Sequence, residues 1–362
     1  MFPIEKGKLS TLNNFDLVRI LAAIQVVFTH ALEHLRIENN AIRFINRNFL
    51  QYFPGVPVFF LVSGFLIFWS FDRNQNEVRK FYRNRFLRLY PALWVCLLVA
   101  AVLLVLDYPF EKTQLLFSGD FSKWFLAQAT FFQFYTPDSL RFWGVGAPNG
   151  SLWTITVELQ FYMLVPILFY FFKRLGKYWK TGLFALITIS LGCNIFIDTL
   201  NDESMLRKLG GVFILPYLYY FLCGILIYKY WDRIRSFFEG KFLYWFIAYF
   251  IFYSVFGVYF EFNISSYWVS SPLKLLADIL LMSLTVSFAF TKISLSHTLL
   301  RGNDISYGVY IYHMLVVNYF VQHQYIKEVK YFFFAYLLTL ISGFLSWIFV
   351  EKRIMTLKKK TS

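Results

Sequence analysis

The first long apolar segment of the chain carries two side chains that could do chemistry inside a membrane, Arg19 and His30. On an α-helix they would lie within about 20° of one face and roughly 16 Å apart along the axis. The guanidinium is a permanent cation, whereas the imidazole can accept or donate a proton near neutral pH. One face of this helix would therefore carry a fixed cation, Arg19, and a possible general base, His30. The simpler alternative is an arginine that snorkels to the interface and a structural histidine.

A carboxylate in a later apolar segment could assist His30. Glu158 follows Ser151, where that segment begins, by seven residues, which is roughly 10 Å along a helix. His30 lies at a similar depth in its own segment, so the two side chains could meet across helices. A carboxylate beside an imidazole sets its tautomer and stabilises the imidazolium. The alternative is a structural bond from Glu158 to an arginine or a tyrosine of the core.

Three further patterns have both a functional and a structural interpretation. Arg85 and Arg88 are three residues apart and thus neighbours on a helix; guanidinium groups suit phosphate, but basic residues before a span are also ordinary topology signals. Lys274 and Asp278 are four residues apart, which favours a structural ion pair within one helix. For His313, in the middle of an apolar segment, packing and a place in a cavity wall remain equally open.

Composition determines which elements must position these residues. The chain has 362 residues, of which 58% are hydrophobic and 15% charged, against about 25% charged residues in soluble domains. The apolar residues form continuous runs of roughly 20, enough to cross the bilayer as helices. We predict an all-α integral membrane protein, a bundle of about ten transmembrane helices around a polar cavity. The predicted spans are 15–34, 50–71, 89–107, 151–172, 181–198, 211–230, 242–260, 272–290, 304–323 and 332–351, and 121–135 is predicted to lie at the interface.

The basic residues predict the orientation of the chain. The formal net charge is +14, which on a soluble protein would suggest nucleic acid, but here the cations lie between apolar runs. If both termini are cytosolic, about twice as many lysines and arginines, Lys6 and Lys8 among them, lie on the cytosolic side as outside. We therefore predict a multi-pass protein of the cytoplasmic (inner) membrane with both termini in the cytosol and no nucleic-acid partner. Segment 108–150, the longest external one, is predicted to cover a binding cavity.

Five short motifs occur in order along nearly the whole chain. They are Asp16, Arg19, Ala22 and His30; GVPVFFLVSGFLI at 55–67; Arg85, Arg88 and Pro91; SLWTITVELQFYMLVP with Trp153, Glu158, Phe161 and Tyr162; and ISYGVYIYH, which ends at His313. Together they resemble acyltransferase family 3, the multi-span membrane acyltransferases of extracytoplasmic glycans. The chain departs from the family pattern at Leu17, where glycine is common, and at Arg353, where proline is usual.

The resemblance implies an O-acyltransferase for polysaccharide modification in the cell envelope. It would move an acyl group, by default acetyl, from cytosolic acyl-CoA to a hydroxyl of an extracytoplasmic polysaccharide or lipid-linked glycan. Acyl-CoA would be a donor substrate, with no tightly bound cofactor and no metal; membrane lipids and the glycan acceptor would be the other partners, and the oligomeric state stays open. Residues 1–362 would form one transmembrane acyltransferase domain without an appended esterase-like domain, because only twelve residues follow Val350.

The resemblance also implies roles for individual residues. His30 would be the general base or the acyl carrier, and Glu158 would orient it. The remaining predicted residues are the donor ligands Arg19, Arg85 and Arg88 and the cavity-lining residues Asp16, Ser63, Trp153, Tyr162 and His313. Two other classes fit the composition: a transporter or flippase of a lipid-linked sugar, since such proteins also carry intramembrane charges, and a non-catalytic membrane scaffold or sensor.

Overall fold

The computed structural model describes residues 12–74 and 77–360, and within these ranges the chain forms helices and loops without a β-strand. The topology signals Lys6 and Lys8 lie outside the described residues. The α-helices are α1 (Phe15–His34), α2 (Asn40–Asn48), α3 (Gly55–Arg73), α4 (Val78–Leu106), α5 (Lys112–Leu116), α6 (Gly119–Ala129), α7 (Trp153–Leu175), α8 (Trp179–Asp198), α9 (Met205–Gly210), α10 (Leu218–Ile234), α11 (Phe242–Tyr253), α12 (Pro272–Ala289), α13 (Leu295–Leu300), α14 (Ser306–Gln322), α15 (Val329–Ser346) and α16 (Lys352–Lys360).

Each predicted span overlaps one of the longer helices, although α4 begins at Val78 rather than at 89 and α10 at Leu218 rather than at 211. π-helical turns extend α11 through Ser254–Tyr259 and α15 through Trp347–Glu351. Among the described residues, seven helical segments are long and apolar enough to cross a membrane, and one of them, Gly150–Asp198, contains both α7 and α8. The all-α membrane class is therefore confirmed. The number ten stays a prediction, because α10 and α14, with 17 residues each, are shorter than those segments.

The described residues belong to two compact units, each with its own packing. The first comprises the described parts of Met1–Ala22, Arg47–Phe81 and Val157–Gly302; the second comprises Ala23–Asn46, Tyr82–Thr156 and the described part of Asn303–Ser362. The division concerns packing alone, so the single acyltransferase domain over 1–362 stays a prediction.

The first unit is built around a close contact between α3 and α10. A Cβ atom on Gly64 would lie 2.2 Å from the backbone oxygen of Phe221, and one on Gly224 would lie 2.4 Å from that of Leu61. Small residues allow helix backbones to approach in this way inside a membrane. The ring of Phe221 stacks on that of Phe161 with centroids 4.0 Å apart, which brings α7 onto the same contact.

An ion pair lies inside α12 of the first unit, as the spacing predicts. Lys274 Nζ is 2.5 Å from Asp278 Oδ1, and both side chains are 1% exposed. The hydroxyl of Tyr219 donates to the other carboxylate oxygen of Asp278 at 3.0 Å. The predicted intrahelical pair is thus confirmed, and its carboxylate has a second partner, Tyr219 of α10, that the sequence did not indicate.

The second unit is organised around α14. A Cβ atom on Gly308 would lie 2.8 Å from the backbone oxygen of Gly343, so α14 and α15 pack closely. Ala31 and Leu32 of α1 share a buried cluster with Val317 of α14. These contacts bring the C-terminal half of α1 against α14.

A cleft of about 440 Å³ also lies in the second unit, between α4, α14 and α15. Its walls are mainly aliphatic and aromatic, with Val99, Leu315 and Leu338 as examples. This cleft is apolar, so the predicted polar cavity stays a prediction.

Candidate functional site

Two imidazoles meet in the second unit. His30 Nδ1 of α1 is 2.9 Å from His313 Nε2 of α14, although 283 positions separate the two residues in the sequence. The rings stack with centroids 5.1 Å apart and an interplanar angle of 19°. His30 is half-buried, whereas His313 is completely buried. The sequence therefore identified both histidines but not their contact.

The backbone of α14 holds the second imidazole from the other side. His313 Nδ1 is 2.5 Å from the backbone oxygen of Tyr310, one turn earlier in the helix. The hydroxyl of Tyr310 is 2.7 Å from Thr154 Oγ1, at the start of α7. Asn149 Nδ2 donates to the backbone oxygen of Ile311 at 2.7 Å. The turn that carries His313 is thus fastened to the segment that leads into α7.

The glycine- and proline-rich end of the predicted external segment is also attached to α14. Asn318 Oδ1 accepts a hydrogen bond from the backbone of Val145 at 3.0 Å, and Asn318 Nδ2 donates to the oxygen of Ala147 at 2.8 Å. Sequence reasoning missed Asn318, although a carboxamide inside an apolar run is a signal for a buried polar contact. The segment is therefore bound to the helix that bears His313.

Arg88 is surrounded by carboxylates. Its Nη1 atom donates to Glu351 Oε2 at 3.1 Å, its Nη2 atom donates to Asp304 Oδ2, and the side chain is 11% exposed. Asp304 in turn accepts from the hydroxyl and the backbone nitrogen of Ser306, the first residue of α14. This arrangement favours a structural role, because the guanidinium that was predicted to bind the donor already has two anionic partners within the chain.

Three predicted residues come together in the first unit. Glu158 Oε1 accepts a hydrogen bond from Ser63 Oγ at 3.1 Å and from the hydroxyl of Tyr162 at 2.5 Å. Glu158 and Tyr162 are one turn apart on α7, and Ser63 lies on α3. The bond to a tyrosine is the structural alternative for Glu158. Its contact with His30 stays a prediction, since His30 belongs to the other unit.

The remaining predicted residues have the following positions. Asp16 is exposed in the first turn of α1, and Arg19 is half-buried one turn later. Arg85 is half-buried on α4, and Trp153 is half-buried where α7 begins. Their roles stay predictions.

Comparisons with known proteins bear on the whole chain. A family model described as an acyltransferase domain matches residues 12–351. Nodulation protein 10 of Rhizobium leguminosarum bv. viciae is 32% identical over 359 residues, which cover 96% of this chain and 94% of that protein. No solved structure matches the chain.

Proposed function

The chain belongs to the acyltransferase domain family that it matches over residues 12–351, and on this premise we propose that it is an O-acyltransferase of the cell envelope. The coarser statement, a membrane acyltransferase, follows from the family together with the apolar helices. In the proposal the donor is cytosolic acyl-CoA, the group transferred is acetyl, and the acceptor is a hydroxyl of an extracytoplasmic polysaccharide or lipid-linked glycan. The relative's name mentions nodulation but no substrate, so the acceptor class rests on the family resemblance.

The observation that carries the proposal is the pair of imidazoles in helices α1 and α14. Ionisable side chains inside membrane spans are costly and are most often found where a reaction or transport requires them. His30 engages His313 through Nδ1 at 2.9 Å. Among residues 12–74 and 77–360, none forms a hydrogen bond with His30 Nε2, so that nitrogen can face a substrate.

The proposed transfer needs one proton acceptor. His30 Nε2 takes the proton of the acceptor hydroxyl while the hydroxyl oxygen attacks the thioester carbonyl carbon. The carbon–sulfur bond breaks, and the thiolate of CoA takes the proton from His30, which leaves an ester and free CoA. In the covalent variant Nε2 attacks the thioester carbonyl carbon, the carbon–sulfur bond breaks and CoA leaves as the thiolate. The acceptor hydroxyl then attacks the acyl group on Nε2, the nitrogen–carbon bond breaks, and the hydroxyl proton passes to the thiolate, which again leaves an ester and free CoA.

The other predicted residues keep supporting roles in the proposal. Arg19 and Arg85 are proposed as ligands of the donor, because guanidinium groups bind phosphate well. Glu158 is proposed as a positioning carboxylate, and Arg88 as the group that holds the start of α14 through Asp304. The protein is proposed to lie in the cytoplasmic membrane with both termini in the cytosol.

The decisive experiment is mass spectrometry of surface glycans from cells without the gene and from cells that express the wild type or His30→Ala. We expect glycans heavier by one acyl group with the wild type and none with His30→Ala, at equal amounts of protein in the membrane. His297→Ala is the matched control, because His297 is exposed on the short helix α13. A His30→Ala protein that still acylates glycans would refute the assignment.

Purified protein separates the enzyme from the transporter that composition also allowed. In nanodiscs with [14C]acetyl-CoA, we expect loss of the thioester and release of CoA that depend on His30. Label that stays on the wild-type protein after acid quench and disappears with His30→Ala would select the covalent variant. Movement of sugar across vesicles with no consumption of acetyl-CoA would contradict the proposal.

A further inference from the structure

We infer that His313 is a positioning residue that sets the tautomer of His30 and thereby makes Nε2 the reacting nitrogen. The inference rests on the proposed function for its chemistry, but its geometric basis is independent of it. Three groups form one chain of hydrogen bonds: the backbone oxygen of Tyr310, the ring of His313 and the ring of His30.

The direction of this chain follows from the inventory of protons. A backbone oxygen can only accept, so at 2.5 Å from the Tyr310 oxygen the Nδ1 atom of His313 must carry a hydrogen. A neutral imidazole has a single N–H group, so Nε2 of His313 carries a lone pair and accepts. The donor at 2.9 Å is then Nδ1–H of His30. The lone pair of His30 is therefore on Nε2.

The opposite direction is unfavourable. If His313 donated through Nε2, its bare Nδ1 would face the lone pairs of the Tyr310 oxygen inside a side chain that is 0% exposed. A buried polar group without its hydrogen bond costs about 1–3 kcal/mol, and here two acceptors would also repel each other. The backbone of α14 sets the position of the oxygen, since Tyr310 lies inside that helix.

The choice of an imidazole as the acceptor has a physical reason. In Ser-His-Asp triads an aspartate holds the histidine in its working tautomer, and loss of that carboxylate leaves the wrong tautomer. A carboxylate inside a membrane costs several kcal/mol. His313 supplies the same acceptor without a charge, so the resting pair is neutral. When His30 Nε2 takes a proton, Nδ1–H keeps its bond to His313, and no second proton moves.

The kinetic test compares two substitutions at one position. His313→Gln can place an amide oxygen near the site of the lost Nε2 acceptor, whereas His313→Leu fills the space without an acceptor. We expect His313→Leu to lower kcat about 10²- to 10⁴-fold, with the KM for acetyl-CoA changed less than about threefold and with substantial recovery in His313→Gln. Equal kcat values for His313→Leu and the wild type would overturn the inference, and His297→Leu is the control.

A spectroscopic test does not depend on activity. The chain contains five histidines, so 15N solid-state NMR of histidine-labelled protein in bilayers can be assigned with His30→Ala and His313→Ala. We expect His30 to carry its proton on Nδ1 in the wild type and to lose this preference in His313→Leu. A wild-type His30 protonated on Nε2 would overturn the inference even if the leucine variant failed to accumulate.

The two tests distinguish this inference from the proposed function. Activity that requires His30 but not His313 would contradict the role inferred for His313 and leave the proposed acyltransferase function standing. The expected tautomer in a protein that never consumes acetyl-CoA would remove the proposed function and leave the tautomer assignment intact.

Discussion

Two polar pairs inside membrane helices are built in opposite ways. Lys274 and Asp278 lie on one helix, are 1% exposed, and the free carboxylate oxygen of Asp278 accepts from Tyr219. His30 and His313 lie on two helices, His30 is half-buried, and none of the described residues forms a hydrogen bond with its Nε2 atom. The first pair has its hydrogen bonds within the protein, whereas the second leaves Nε2 of His30 without a hydrogen bond to a described residue.

The difference shows how to separate structural from functional polar residues in a membrane. Both pairs consist of ionisable side chains inside apolar helices, where such groups are costly to place. What differs is whether the bonding capacity is used up by the protein. The satisfied ion pair is expected to contribute to stability, whereas we propose that the imidazole whose Nε2 bonds to none of the described residues contributes to chemistry.

The largest effect is expected when the pair of His30 and His313 is broken. His30→Gln keeps a polar group that can reach His313 but removes the base. We expect kcat to fall at least about 10³-fold, within the range for loss of a general base, with the thermal unfolding midpoint close to that of the wild type. A large loss of stability with normal kcat in the folded fraction would show that His30 has a structural role, like Lys274 and Asp278.

Breaking the pair of Lys274 and Asp278 should lower stability and leave kcat unchanged. Lys274→Met leaves the carboxylate of Asp278 buried without its cation, which costs about 3–5 kcal/mol. We expect a lower unfolding midpoint and less protein in the membrane, with normal kcat in what remains. The double variant Lys274→Met/Asp278→Asn should recover much of the stability. Lack of recovery would mean that the packing of Lys274 matters more than its charge.

The position of α14 should matter for activity as well as for stability. In Gly308→Ala the new methyl group meets the backbone of Gly343 at 2.8 Å, and overpacking of this kind costs about 1–3 kcal/mol. Because α14 carries His313, we also expect kcat to fall about tenfold. Gly192→Ala is the control, since no atom lies within 4 Å of its Cβ position. Equal kcat values in the two variants would show that the pair tolerates movement of α14.

The smallest expected effect tests whether Glu158 has a structural or a functional role. Tyr162→Phe removes one of the two hydrogen bonds to Oε1 and leaves that from Ser63. Hydrogen bonds between helical side chains in membranes contribute about 0.6 kcal/mol on average and up to about 1.7, so we expect only a small shift of the unfolding midpoint. A large fall in kcat with only a small shift of the unfolding midpoint would indicate that Glu158 takes part in the reaction. Tyr244→Phe is the control, because that side chain is exposed.

Local features of the molecule were predictable from the chain alone. The apolar runs correspond to helices because lipid offers no partner to backbone groups, so each run must satisfy its own hydrogen bonds. The pair of Lys274 and Asp278 follows from a spacing of four residues on one helix. Five short motifs likewise predicted the family, and the match over residues 12–351 confirms it.

Contacts between distant segments required the folded chain. Arg88 was predicted as a phosphate ligand, but it meets Asp304 and Glu351, which lie 216 and 263 positions away. His30 was expected beside a carboxylate, and its described partner is an imidazole 283 positions away. Residue types and spacing could identify which groups are reactive. Helix packing alone selected their neighbours, because hydrogen bonds form only between atoms that the fold brings within about 3 Å.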